Sequence, residues 1–245
     1  MSTRLAKPVT TPSALLNIDH RRMALSGNSG EQQPVWDLPV RLVHWLLAAL
    51  ITFSWWSVHN HHTDWHIWSG CAILTLLIFR LLWGFVGSST ARFTSFVRGP
   101  RSVFADLNGR WTGIGHTPLG ALSVLVMFLA VAVQVGLGLI SQDEDGIYMG
   151  PLSHLVSSDA SDRARDVHEL WFNVILALIA LHVAAILFYR LRGRHLTKPM
   201  ITGRTALDPG VQPMRPGKWW VAIICLAVAI GIVRWVIAGA PPFGS

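Results

Sequence analysis

The chain has 245 residues, of which 51% are hydrophobic and 13% charged, with twelve tryptophans. That balance excludes an ordinary soluble domain and points to a membrane protein. The formal net charge is +7, but the basic residues lie between apolar runs, so they bear on membrane topology and not on nucleic acid. Cys71 and Cys225 both sit inside apolar runs, which excludes a disulfide framework.

Residues 1–34 are polar and rich in Ser, Thr, Pro and Arg, with no secretory hydrophobic region. They read as a disordered cytoplasmic tail. Five apolar runs follow, at residues 39–58, 64–85, 118–140, 167–189 and 218–237. Each is close to the length that crosses a bilayer as a helix. The expected fold is an all-α membrane protein: a four-helix transmembrane bundle over residues 35–204, then a linker and a fifth transmembrane helix over residues 205–245.

Basic residues set the orientation. Five precede the first run or lie at its start, five lie between the second and third or near the end of the second, and seven between the fourth and fifth or at the start of the fifth. Seventeen of the twenty therefore share one side. The other side has Arg163, Arg165 and Arg234, together with Asp143, Glu144, Asp145, Asp159, Asp162 and Asp166. The N-terminus is expected in the cytoplasm, and the third loop outside.

The fourth run carries two histidines, His168 and His182. Imidazole in hydrocarbon is costly, so an intramembrane histidine is a functional hypothesis by default. Fourteen residues at about 100° each bring the second side chain within roughly 40° of the first, and set them about 21 Å apart along the axis. His44 lies near the cytoplasmic end of the first run and His66 near the outer end of the second. Depth therefore pairs His44 with His182 and His66 with His168. Each pair suits one iron held by two imidazoles, as in a non-covalent b-type haem. Zinc would want four ligands at each level. No C-x-x-C-H pattern is present, which excludes covalent c-type attachment.

Other residues fit flat cofactors. Gly70 follows His66 on the same face, where a side chain would meet a macrocycle. Gly136 and Gly138 allow close approach in the third run, though helix packing explains them equally well. Arg41 and Arg80 fall at the level of the inner pair and can meet haem propionates, or anchor the membrane boundary. Glu169 can hydrogen-bond an imidazole or serve as a helix N-terminal charge. Trp45, Trp55, Trp56, Trp65, Trp68 and Trp83 read as an aromatic belt. His59, His61 and His62 read as solvated loop residues.

Several motifs resemble the bacterial cytochrome b561 family, which is related to the b-type cytochrome subunit of nickel–iron hydrogenases. They are R-L-V-H-W (41–45), W-H-I-W-S-G (65–70), R-L-L-W-G-F-V-G (80–87), A-R-F-T-S-F (91–96), G-H-T-P-L-G-A (115–121), H-E (168–169), L-H-V (181–183) and M-I-T-G (200–203). The resemblance implies a four-helix core with two b haems ligated by His44, His66, His168 and His182. It implies electron transfer between membrane quinone and a partner redox protein, in the bacterial inner membrane. The short outer loops favour a periplasmic c-type cytochrome over a hydrogenase or other dehydrogenase complex. His116 is the residue read as a quinone head-group contact, with a turn cap as its alternative. The fifth helix lies outside the motifs and reads as a packing or partner surface in the lipid. Two rival classes remain open: a superoxide:quinone oxidoreductase, against which the acidic outer loops argue, and a scaffold without haem.

Overall fold

The computed structural model describes residues 32–96, 114–207 and 211–241. Five long helices carry the fold: α1 (Leu38–His59), α2 (Thr63–Val86), α3 (Pro118–Ile140), α4 (Ser158–Leu191) and α5 (Trp219–Ile237). All five are long and apolar enough to cross a bilayer. In hydrocarbon a helix satisfies its own backbone, which open strands cannot do. The chain is an all-α membrane protein, as its composition predicts.

The helix starts have local causes. Asp37 caps α1 by accepting the Val40 amide at 2.8 Å, with Pro39 in the first turn. Thr117 caps α3, accepting from Gly120 N at 3.1 Å. Ser157 caps α4, accepting from Ala160 N at 3.3 Å. That cap starts α4 well before the apolar run and gives it 34 residues. Its length is then about 51 Å, against roughly 30 Å of hydrocarbon. The first turns, with Asp159, Asp162, Arg163 and Asp166, precede the apolar run.

α1 packs along α2 and α3 along α4, while α2 also packs on α3 and α5. The extensive packing of α4 is with α3, so the α1–α2 pair faces the α3–α4 pair across a looser seam. One apolar cluster crosses that seam at mid-depth: Ile73 and Leu77 of α2, Ala130, Val131 and Val135 of α3, and Ile175 of α4. Ile175 is 3% exposed and stands midway in sequence between His168 and His182.

The fifth helix belongs to the same body. Cys225 and Ala229 share a core with Val40, Val43, Phe79 and Trp83. The linker before it is tied down at the end of the bundle where α1 starts and α2 ends. Residues 32–34, expected as the last of a disordered tail, pair antiparallel with Arg204–Ala206. The rest of that tail, residues 1–31, lies outside the described residues. Met214 N donates to Pro34 O at 3.0 Å, Ser89 N to Arg215 O at 3.1 Å, and Thr90 Oγ1 to Val35 O at 2.7 Å. Gly203 makes the turn, with φ +79°, and its carbonyl accepts from Val35 and Trp36. A side chain there would be strained and would crowd the Trp36 carbonyl.

Trp83 departs from the expected aromatic belt. It is 1% exposed, whereas Trp45, Trp55, Trp56, Trp65 and Trp68 are 42–67% exposed. Its indole N–H donates to Asp37 Oδ2 at 2.8 Å. A buried indole needs an acceptor, and the cap of α1 supplies one.

Candidate functional site

His66 of α2 and His168 of α4 meet across the seam. Their ring centroids lie 5.9 Å apart and their planes at 82°. His168 Nδ1 is 2.9 Å from Gln134 O on α3, and His66 Nδ1 is 3.0 Å from Ser54 O on α1. A carbonyl oxygen only accepts, so His168 Nδ1 carries the proton and its Nε2 keeps the lone pair, whereas His66 Nδ1 also stands 3.0 Å from Ser54 Oγ, a hydroxyl that can donate or accept. Such carbonyl partners fix the tautomer and orientation of metal-binding imidazoles. Gly138 is what lets His168 approach α3: a β-carbon there would lie 3.0 Å from His168 Cε1. A β-carbon on Gly136 would meet open space. Glu169, one residue on, is exposed and makes no bond to the ring.

A cavity of about 630 Å³ surrounds this outer pair. Val131, Val135, Phe172 and Ile175 give it apolar walls, and Gln142, Asp143, Tyr148, Arg165 and Glu169 line its polar part. Gly70 lines it too, and a β-carbon there would meet nothing within 4 Å. Gly70 thus borders free space beside His66.

His44 of α1 and His182 of α4 form the inner pair, with centroids 6.4 Å apart and planes at 52°. His44 Nδ1 is buried without a hydrogen-bond partner among the described residues. Arg80 is placed at this depth by its neighbours: Val43 and Phe79, adjacent in sequence to His44 and Arg80, share one cluster. Arg80 is 7% exposed, and both terminal nitrogens lack partners among the described residues. Its guanidinium stands over the Phe93 ring at 5.2 Å. A buried cation with idle donors calls for an anionic group. Arg41, one turn from His44, gives its Nη1 to the Ile201 carbonyl. His116 lies edge-on to Trp36 at 4.5 Å. Burial first, then the Arg80 charge, pushes its imidazole down to about 3.

The residues fit haem. Two metal–imidazole bonds of about 2.0–2.1 Å, plus the ring radii, account for centroid separations near 6 Å. Among the described residues no three His, Cys, Asp or Glu side chains gather at one point, so each site offers two imidazoles. Open space flanks one pair, and idle guanidinium donors stand at the level of the other. Gln134 has no local sequence signal, because it acts through its backbone carbonyl; Ser54 meets His66 Nδ1 with both its carbonyl and its hydroxyl, each at 3.0 Å. Gly138 has one, a glycine inside an otherwise bulky apolar helix.

Histidine pairs between membrane-spanning helices, with these surroundings, define a membrane b-type cytochrome. Residues 35–203 match the family model described as prokaryotic cytochrome b561. The match covers more than half of the chain, and the chain belongs to that family. It is a multi-pass bacterial membrane protein that binds b-type haem and works in electron transfer. No curated protein and no solved structure matches it. The family match ends at residue 203, before α5.

Proposed function

We propose that the protein holds two b-type haems, one per histidine pair, and conducts electrons across the inner membrane between quinone and an outer redox protein. The observation that carries this is the meeting of His66 with His168 and of His44 with His182 at opposite ends of one helix. When bound, haem supplies one-electron redox chemistry; the chain supplies ligation, burial and charge. His168 presents its Nε2 lone pair and forms the outer clamp with His66, His44 and His182 form the inner clamp, and Arg80 with Arg41 offers cations to propionates. The apolar layer around Ile175 separates the two levels and excludes water between them.

His116, at the cytoplasmic start of α3 beside Trp36, is the residue we assign to the quinone head group. The partner we favour is a soluble c-type cytochrome with a basic face. The outer turns of α4 and the loop before it supply six acids, and complementary charge speeds docking. Asp143 and Glu169 in the outer cavity disfavour superoxide, itself an anion, as the substrate.

The test is pyridine haemochrome quantitation on the purified full-length chain. Two b haems per chain are expected, and one or none would sink the reading. His182→Ala should leave one haem, the outer.

A further inference from the structure

Away from the histidines, a second cavity of about 430 Å³ lies at the end of the bundle where α1 and α5 start and α2 ends. That volume is within the range of small-molecule sites, about 300–1,000 Å³. None of the four paired histidines lines it. Part of its wall lies beyond residue 203, where the family match ends: Met214, Trp219 and Ala222 come from the linker and α5.

Two arginines line the cavity, Arg41 and Arg204. Neither pairs with a carboxylate among the described residues. Arg41 gives Nη1 to the Ile201 carbonyl, and its Nε is buried with no partner among the described residues. A guanidinium has five N–H donors, so one carbonyl leaves it able to bind more. A buried N–H without an acceptor is costly and marks a place for one. Asp37 lines the cavity too, but Val40 N engages its Oδ1 and the Trp83 indole its Oδ2. The charge left to meet a ligand is therefore positive.

The rest of the wall is largely apolar, with Leu38, Trp83, Trp219 and Ala222. Both α1 and α5 pack on α2, whose Trp83 lines the space between them. Leu38 and Trp219 are the first residues of their spans and are 56% and 73% exposed. A span starts where headgroups give way to hydrocarbon, and tryptophan favours that level. Cations beside an apolar slot at that level match an amphiphile with a negative head.

We propose that this cavity binds one anionic glycerophospholipid, with its phosphodiester on Arg204 and Arg41 and the start of an acyl chain against Leu38, Trp219 and Ala222. Guanidinium–phosphate pairing gives the contact its direction. Arg215 and Lys218, next in the chain to the lining residues Pro216 and Gly217, add attraction for a lipid of net negative charge. The lipid bridges α5 to the start of α1.

The test is native mass spectrometry of the delipidated full-length chain in detergent, titrated with dioleoyl phosphatidylglycerol, with dioleoyl phosphatidylcholine, or with phosphatidylglycerol plus excess inorganic phosphate. One phosphatidylglycerol should bind saturably, phosphatidylcholine more weakly, and inorganic phosphate should not displace the lipid. Arg204→Gln should weaken phosphatidylglycerol binding by about five- to tenfold. Arg192→Gln, a cation outside the cavity at the end of α4, should leave it unchanged. Ala222→Trp, which fills the slot, should weaken both lipids. Equal affinity for the two lipids, displacement by phosphate, no effect of Arg204→Gln, or an equal effect of Arg192→Gln overturns the proposal. If Ala222→Trp does not fold, the comparison of Arg204→Gln with Arg192→Gln decides.

Discussion

A β-carbon on Gly138 would lie 3.0 Å from Cε1 of His168. The glycine is therefore spatial, not conformational: it lets an imidazole on α4 reach the Gln134 carbonyl on α3. Gly138→Leu should push the His168 ring away and remove the outer haem, leaving about one haem per chain. Leucine is a better helix former than glycine by up to about 1 kcal/mol, so lost helicity would not explain the effect. Two haems with unaltered spectra in Gly138→Leu would contradict this account.

Asp37 ties the start of α1 to the end of α2 through Trp83. Asp37→Ala removes a helix cap and a charge-assisted hydrogen bond, which together are worth roughly 2–4 kcal/mol. Trp83→Phe leaves one buried carboxylate oxygen unpaired and should cost about 1–3 kcal/mol. Trp68, 67% exposed, is the control. Trp68→Phe should stay within about 0.5 kcal/mol of the wild type. Denaturant unfolding in detergent checks the order, and equal losses for Trp83→Phe and Trp68→Phe would refute it.

His116 gives the fold a pH dependence. Its imidazole is pushed down to about 3, first by burial and then by the Arg80 charge. Above the ordinary histidine value of about 6.5 both folded and unfolded forms are neutral, and the stability is fully present. As pH falls from about 6.5 toward 3, the unfolded chain takes up a proton that the folded chain refuses, so stability falls. Between pH 6.5 and 5 the loss should be roughly 1–2 kcal/mol. His116→Gln should flatten that slope in thermal unfolding measured at both pH values. An unchanged slope would show that other groups carry it.

The outer face should make electron transfer salt-dependent. Asp143, Glu144, Asp145, Asp159, Asp162 and Asp166 gather in the loop before α4 and its first turns. With a basic soluble c-type cytochrome, the bimolecular rate should fall about tenfold or more between low salt and roughly 0.5 M. A rate indifferent to ionic strength, measured by stopped flow, would reject docking by these acids.

Much of the site is legible in the chain because its causes are local. Membrane spans follow from runs of apolar residues. The shared face of His168 and His182 follows from helical periodicity, and the side each histidine occupies follows from where Arg and Lys cluster. These three together pair His44 with His182 and His66 with His168, and the structure brings those rings to 6.4 and 5.9 Å.

What tertiary structure alone decided depends on groups far apart in sequence, and largely on backbone atoms that have no residue signature. Trp83 reads as an interfacial tryptophan until Asp37, 46 residues earlier, is seen to accept its N–H. The Gln134 carbonyl that fixes the His168 tautomer lies 34 residues away and would be there with almost any side chain. The strand pairing of residues 32–34 with Arg204–Ala206, and the seating of α5 on α2, join segments that no periodicity connects. Composition and spacing determined a helical membrane protein with two pairs of imidazoles at two depths. Packing determined how firmly each pair is held and which charges surround it, because hydrogen bonds and electrostatics depend on distance in space and not along the chain.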